Sequence, residues 1–371
     1  MKTVLIKINT LYKPLFGKNR YVAGIGRSTM GLLDALAEKD SLPFKIKLYG
    51  TALRSIGYTS KHYPYTRLIL PQSIITKTGL ETLLVNRIIK NDLFHIPHNT
   101  DEIMRSRDFI VTIHDTCEYD LLANGRESVI SLWKYSAEKS RSIITCSECS
   151  KWDIVDRFKV NENKITVIPW GVDTNSFRIL GNDKVRKGVE RMGIKSPYLL
   201  SVSCSNVRKN MANLMRAFRE FRKVNNTVAL VLLWSNPSVE ILNTYQEEIR
   251  EKRIIFLDHV SDEDLVVLYN GALATMYPSR YEGFGFPILE SFACGTPVMT
   301  CKNSSLSELG SDIAHYIGED DIDGMASTMA LLTDEHYAYN EFLAKASEHV
   351  KKYSWSRTAD QYIDFYSNQL Y

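Results

Sequence analysis

The sequence contains no apolar run of the roughly 18–20 residues that a helix needs to cross a bilayer, so any membrane contact is expected to be peripheral. Its six cysteines are scattered without a disulfide-like framework, which suits a reducing cytoplasm. Cys146 and Cys149 form a C-x-x-C, but no second ligand pair stands at metal-binding spacing, and two buried or half-buried thiols are expected there. Short internal repeats, low-complexity segments and any excess of glycine or proline are also missing, which sets aside repeat, fibrous and disordered classes. The first residues, Met1 to Asn9, alternate apolar and basic positions with neither a long apolar region nor a small-residue cleavage site. They read as a strand rather than an export signal, and a cytoplasmic location is expected.

What is present suits two cores. A chain of 371 residues fits two domains of roughly 150–200 residues each. The net charge of +3 is unevenly divided: residues 1–180 hold 26 Lys and Arg against 18 Asp and Glu, whereas residues 181–371 hold 20 against 25. A basic first half can face anionic lipid or a diphosphate-bearing acceptor, or can be a solvated surface without a partner. The basic residues are dispersed rather than gathered in an aromatic-lined groove, so a nucleic-acid role is not expected.

Strand-length apolar runs alternate with helical periods. Candidate strands are Val4 to Ile8, Phe44 to Tyr49, Leu93 to Ile96, Phe109 to Ile113, Ser142 to Thr145 and Ile165 to Ile168. A second series runs Tyr198 to Val202, Val228 to Leu233, Ile254 to Leu257, Ala274 to Tyr277 and Pro297 to Met299. Helical patterns between them are clearest at Thr29, Leu32, Leu33 and Leu36, and at Leu80, Leu83, Leu84 and Ile88. The stretch Ile74 to Lys90 also carries Lys77, Arg87 and Lys90, as a core helix with a basic outer face would. Such alternation predicts two α/β domains with parallel, doubly wound sheets and a boundary near residues 175–195.

Ligands of such sheets bind beyond the carboxyl ends of the strands, so the loops there hold the candidate site residues. The string Tyr281 to Glu290 follows one of them. Gly283 and Gly285 permit close backbone approach, Pro287 suits a first helical turn, and Gly295 suits the helix end. Glu282 and Glu290, near a helix N-terminus, suit ribose and sugar hydroxyls, while loop amides suit a diphosphate. Arg208, Lys209 and Asn210 stand at a helix entrance, where two cations can neutralise a departing pyrophosphate. His114 ends an apolar strand. Gly24 and Gly26 are expected on a loop ahead of the first helix, where glycine lets the backbone approach a phosphate. A dinucleotide reading of that spacing fails, because Thr29 stands where the third glycine would be and no acidic residue ends a second strand about 20 residues on. Ser305 and Glu308 have the spacing of a capping box.

The Tyr281 to Glu290 string resembles the E-x7-E motif of the family-four retaining glycosyltransferases, which have the GT-B fold. Thr112 to Asp115 resembles that family's strand-end histidine motif, and Val167 to Asp173 the segment leading to its interdomain hinge. Phe256 to Leu265 and Tyr353 to Trp355 are similar too, so the likeness runs over nearly the full length. Departures are Ser203 in place of a glycine, Asn206-Val207 in place of Glu-Pro, and Asp258 in place of a glycine before His259.

The resemblance implies two Rossmann-like domains facing each other across a cleft: residues 1–180 on the acceptor side, 181–355 for the donor, and a helix at about 356–371 packing back on the first. It implies a nucleotide-diphosphate sugar donor and a glycan or lipid-linked glycan acceptor. His114, Glu282, Arg208 and Lys209 would be catalytic. Gly24, Gly26, Ser203, Arg208, Lys209, Gly283, Phe284, Gly285, Phe286, Glu290 and Ser305 would bind the donor. The reaction would be a front-face displacement without a cofactor and without a required metal ion. Members with these strings together are often mannosyltransferases of bacterial surface-polysaccharide assembly, which makes GDP-mannose the leading donor, ahead of a UDP- or dTDP-sugar. Such an enzyme would work at the inner face of the cell membrane. A sugar-nucleotide epimerase, a glycan phosphorylase and a non-catalytic nucleotide-sugar sensor stay open; the joint presence of His114 and Glu282 favours catalysis.

Overall fold

The structure, a computed structural model, describes residues 1–11, 24–52, 63–71, 89–99, 109–119, 127–202, 207–258 and 260–371. The helical pattern over residues 74–88, Ser203 and His259 lie outside the described residues. The chain divides into two compact units, residues 1–171 with 355–371, and residues 172–354.

The first unit holds a parallel sheet built from β1 (Thr3–Lys7), β2 (Lys45–Ala52), β3 (Thr66–Pro71), β4 (Leu93–Ile96), β5 (Phe109–Thr112), β6 (Ser142–Thr145) and β7 (Ile165–Val167), in the order β3-β2-β1-β4-β5-β6-β7. Its centre is buried on both faces, as its unbroken apolar runs require. Along β1, Val4 and Ile6 pack with Leu32, Leu33 and Leu36 of the helix Gly24–Ala37, while Leu5 packs the other way with Ile130 and Ile154. The helix Trp355–Leu370 covers the first face through Tyr362, Phe365 and Tyr366. The Tyr366 hydroxyl lies 2.6 Å from His95 Nδ1, and the Thr358 hydroxyl donates to the Pro169 carbonyl at 2.8 Å.

The second unit repeats the plan with β8 (Tyr198–Ser201), β9 (Ala229–Leu233), β10 (Ile254–Leu257), β11 (Ala274–Tyr277), β12 (Val298–Cys301) and β13 (His315–Ile317), ordered β10-β9-β8-β11-β12-β13. Its core gathers Leu214, Ala217 and Phe218 from the helix Met211–Phe221 with Leu230, Leu232, Met276 and Met299. Residues 172–180 group with this unit because Val172 N–H donates to the Tyr353 carbonyl at 2.9 Å and Leu180 N–H to the Asn270 side-chain oxygen at 2.7 Å.

The expected α/β class with two parallel sheets therefore holds. Two strands, β3 and β13, lie outside the runs read from the sequence, and each is the edge of its sheet. An edge strand needs no continuous apolar run: Leu68 is exposed, and two of the three residues of β13 are only half-buried. Gly24 and Gly26 also differ from expectation, since both belong to the first turn of the helix Gly24–Ala37 rather than to a loop ahead of it. The Ser28 and Thr29 hydroxyls donate to the Ile25 carbonyl at 2.7 and 3.1 Å and stabilise that turn.

Gly31 lies where this helix meets the helix Trp355–Leu370, and a Cβ there would stand 2.3 Å from the Trp355 ring. Alanine in mid-helix gains about 1 kcal/mol in propensity over glycine, but overpacking of this kind costs about 1–3 kcal/mol. Gly31→Ala is therefore expected to lower the thermal midpoint; an unchanged or higher midpoint would show that the two helices do not approach this closely.

Candidate active site

In both units the strand order reverses beside the first strand of the sheet, between β1 and β4 and between β8 and β11. Loops diverge at such a point and leave a crevice at the carboxyl ends of the strands. The loop after β8 supplies Arg208 and Lys209 in a short turn ahead of the helix Met211–Phe221, and the loop after β11 supplies Ser279 to Gly285 ahead of the helix Phe286–Ala293. Arg280 N–H donates to the Arg208 carbonyl at 2.9 Å, which ties the two loops together.

Local sequence explains the second loop. Gly285 has φ +118°, a conformation that other residues resist, and a Cβ there would also stand 3.1 Å from Leu306. Pro287 falls in the first turn, where its missing N–H costs nothing. At the far end Gly295, φ +75°, lets its own N–H reach the Phe292 carbonyl at 3.0 Å and Thr296 N–H reach Ser291 at 2.9 Å, closing the helix.

The side chains converge on one carboxylate. Glu282 Oε2 accepts from Arg208 Nη1 at 2.7 Å, and Oε1 accepts from Lys209 Nζ at 2.6 Å and from the Ser279 hydroxyl at 2.6 Å. Lys209 Nζ also reaches the Tyr277 hydroxyl at 3.1 Å, and Arg208 donates to the Tyr281 carbonyl as well. Glu282 N–H donates to the Ser304 hydroxyl at 3.0 Å. Burial presses the Glu282 carboxyl upward more than any other single influence, yet Lys209 and Arg208 with their hydrogen bonds outweigh it and hold its pKa below the ordinary glutamate value. Burial, followed by the Glu282 charge, drives the Tyr277 phenol well above its usual value.

Around this cluster the interior is fixed. Ser305 does not make the capping box that its spacing to Glu308 alone would allow: its buried hydroxyl donates to the Glu282 carbonyl at 2.8 Å and to the Phe284 carbonyl, and no side-chain cap is made. Phe284 is buried edge-on against Phe286 and Tyr353, with ring centroids at 5.2 and 6.3 Å. Gly283 is buried too. Glu290, 2% exposed, accepts from the Tyr269 hydroxyl at 2.9 Å.

Comparison with known proteins agrees with this geometry. Residues 187–349 match the family of glycosyl transferases group 1, and residues 54–176 match glycosyltransferase family 4. The chain is 26% identical over 288 residues to an O-antigen chain mannosyltransferase B of Escherichia coli, covering 74% of this chain and 72% of that protein. It is 24% identical over 241 residues to the serotype-specific mannosyltransferase WbdA of Escherichia coli, of which those residues span only 29%. Among solved structures, a sucrose-phosphate synthase from Thermosynechococcus elongatus superposes with a TM-score of 0.76 over 99% of both chains at 17% identity. This chain is a family-four glycosyltransferase of the GT-B fold.

Within the first unit of the glycosyltransferase, His114 lies just beyond β5 and is 4% exposed. Its Nε2 donates to the Pro97 carbonyl at 3.1 Å, so Nδ1 is an acceptor, buried and without a hydrogen-bond partner among the described residues. The ring meets Trp170 edge-on, centroids 4.8 Å apart. Asn99, which the sequence reading passed over, pins the backbone: its side chain accepts from His114 N–H at 2.8 Å and donates to the Asp115 carbonyl at 2.9 Å. Cys146 and Ser150 donate to the His114 carbonyl at 3.3 and 3.0 Å, which gives the first thiol of the C-x-x-C a structural contact. Ser279 and Tyr277 were likewise unread as site residues: Tyr277 meets Lys209 across 68 residues, whereas Ser279 meets Glu282 three residues on.

Burial holds His95 and His114 neutral, with pKa values lowered to about 3. Unfolded histidine takes up a proton near pH 6.5, so between about 6.5 and 3 the unfolded chain gains protons that the folded chain refuses. Stability should fall across that window as pH drops, by roughly 1.4 kcal/mol per pH unit for each ring. Glu282 acts lower down: its depressed pKa adds stability in full above the unfolded value of 4.5, lost as pH falls through the folded one. His95→Gln should flatten the decline in denaturation midpoint from pH 7 to 5; an equally steep decline would contradict the buried neutral ring.

Proposed function

We propose that this glycosyltransferase is a retaining enzyme that transfers mannose from GDP-mannose to a glycan or lipid-linked glycan acceptor in the synthesis of bacterial surface polysaccharide. The observation that carries the reading is the buried cluster of Arg208, Lys209 and Glu282 at the second sheet's switch point. The choice of mannose is supported by the relatives, two of which are named as mannosyltransferases.

Charge dictates the chemistry. The bond from the anomeric carbon to the diphosphate oxygen breaks, leaving positive charge on the sugar and a third negative charge on the departing diphosphate. Arg208 and Lys209 supply the counter-charge on the phosphate side, so no metal ion is needed for it. A new bond forms from the acceptor oxygen to the same face of the anomeric carbon, and the acceptor proton passes to the departing phosphate oxygen. In the resting site Glu282 already occupies both cations, so an incoming diphosphate competes with it for them. The displaced carboxylate then faces the developing charge of the sugar. Glu290 holds the ribose, and His114 Nδ1 accepts from a hydroxyl of the transferred sugar. The basic first half of the chain suits an anionic membrane bearing the acceptor.

Purified protein incubated in EDTA with GDP-mannose, UDP-glucose, UDP-GlcNAc, UDP-galactose or dTDP-rhamnose should release nucleotide from GDP-mannose. Lys209→Met and Glu282→Gln should each slow that release by about 10²-fold, the usual cost of one charge-stabilising group. Release from another donor would reassign the sugar. No release from any donor, or variants as fast as the parent, would remove the basis of the reading.

A further inference from the structure

Arg280 and Glu319 lie outside every motif described above, yet they join the loops that carry the cationic cluster. Arg280 sits between Ser279 and Glu282 in the loop after β11, and its backbone N–H holds the Arg208 carbonyl at 2.9 Å. Its guanidinium reaches Glu319 Oε2 at 3.2 Å, the Asn210 side-chain oxygen at 3.3 Å, and Asp320. Glu319 follows β13 and completes the ring: Oε1 accepts from Asn303 Nδ2 at 2.6 Å, and its carbonyl accepts from Asn210 Nδ2 at 2.6 Å. Asn303 Nδ2 also donates to the Ser279 carbonyl at 3.3 Å. One ion pair thereby links the loops after β8, β11, β12 and β13.

Asn210 shows what the link is for. It follows Lys209 directly and has φ +61°, in the left-handed region that asparagine enters more readily than other non-glycine residues. The Glu319 carbonyl and the Arg280 guanidinium hold the two ends of its amide, and the Glu319 side chain keeps that carbonyl in place through Arg280 and Asn303. If Asn210 relaxes, the turn carrying Arg208 and Lys209 turns with it. The side chains of Arg280 and Glu319 are 36% and 38% exposed, so their pairing adds little to global stability. Its value lies in geometry, because a displacement of about 1 Å in a catalytic group can cost on the order of 10²-fold in rate.

We infer that Arg280 and Glu319 are positioning residues, which hold Arg208, Lys209 and Glu282 in register without touching substrate. For its catalytic consequence the inference rests on the transferase reading of the same cluster. In the full-length protein, Glu319→Ala and Arg280→Ala should each speed amide hydrogen exchange at residues 207–210 and 279–282 by tenfold or more, with a thermal midpoint within about 3 °C of the parent. With GDP-mannose as probe, kcat should fall about tenfold or more while KM changes less than threefold. The double variant should be no slower than either single one, and Arg280→Lys should recover part of the rate. Unchanged exchange in both loops would overturn the inference whether or not GDP-mannose is the donor. Altered exchange with parental turnover would also overturn it, whereas a parent inactive on every donor would count against the transferase reading and leave the exchange result to decide the positioning role.

Discussion

The second unit is organised around a buried carboxylate that holds two cations. Removing a charge from water costs several kcal/mol, and such a group persists only where partners of opposite sign and good hydrogen-bond geometry receive it. Glu282 has Arg208, Lys209 and the Ser279 hydroxyl within 2.7 Å. The cluster keeps one positive charge in surplus, held at short range in a poorly hydrated setting where charge acts strongly. That is the arrangement a diphosphate leaving group calls for, and the other contacts of the region serve to keep it in place.

The backbone makes the cluster possible. Parallel strands with crossover helices put all the loops of one sheet end side by side, and the reversal of order between β8 and β11 leaves two of them free to diverge. Gly285, Pro287 and Gly295 start and stop the helix Phe286–Ala293 so that Glu282 falls in the loop and Glu290 inside the helix. Ser305 gives its hydroxyl to the carbonyls of Glu282 and Phe284, so a residue of the neighbouring loop fixes the carboxylate's own backbone. The first unit uses the same means for His114, whose amide and carbonyl are both occupied by side chains.

The fold was legible because its central strands are buried on both faces and must be continuous apolar runs. Leu93 to Ile96, Ser142 to Thr145 and Ala274 to Tyr277 were read with their observed ends, and so was the apolar edge strand Ile254 to Leu257. The edge strands β3 and β13 escaped because their residues are partly exposed and form no apolar run, whereas the other two edges, β7 and β10, keep one. Arg208, Lys209 and Glu282 were legible as residue types beside a strand end, but their mutual pairing was not, since 73 residues separate Lys209 from Glu282. The same holds for Asn99 and Glu319, whose roles depend on loops that only the folded sheet brings together. Ser305 shows how little a local pattern settles: its spacing to Glu308 allows a cap, yet the hydroxyl donates to carbonyls of the neighbouring loop.

The central claim is that the Glu282 carboxylate and the donor diphosphate compete for the same two cations. Calorimetric titration of GDP into the parent and into Glu282→Gln tests it directly, because GDP carries the diphosphate without the sugar. The account predicts that the neutral amide binds GDP more tightly than the parent does, even though its turnover is lower. Binding that is unchanged or weaker would contradict the account and would mean that the carboxylate supports the anion site rather than occupying it.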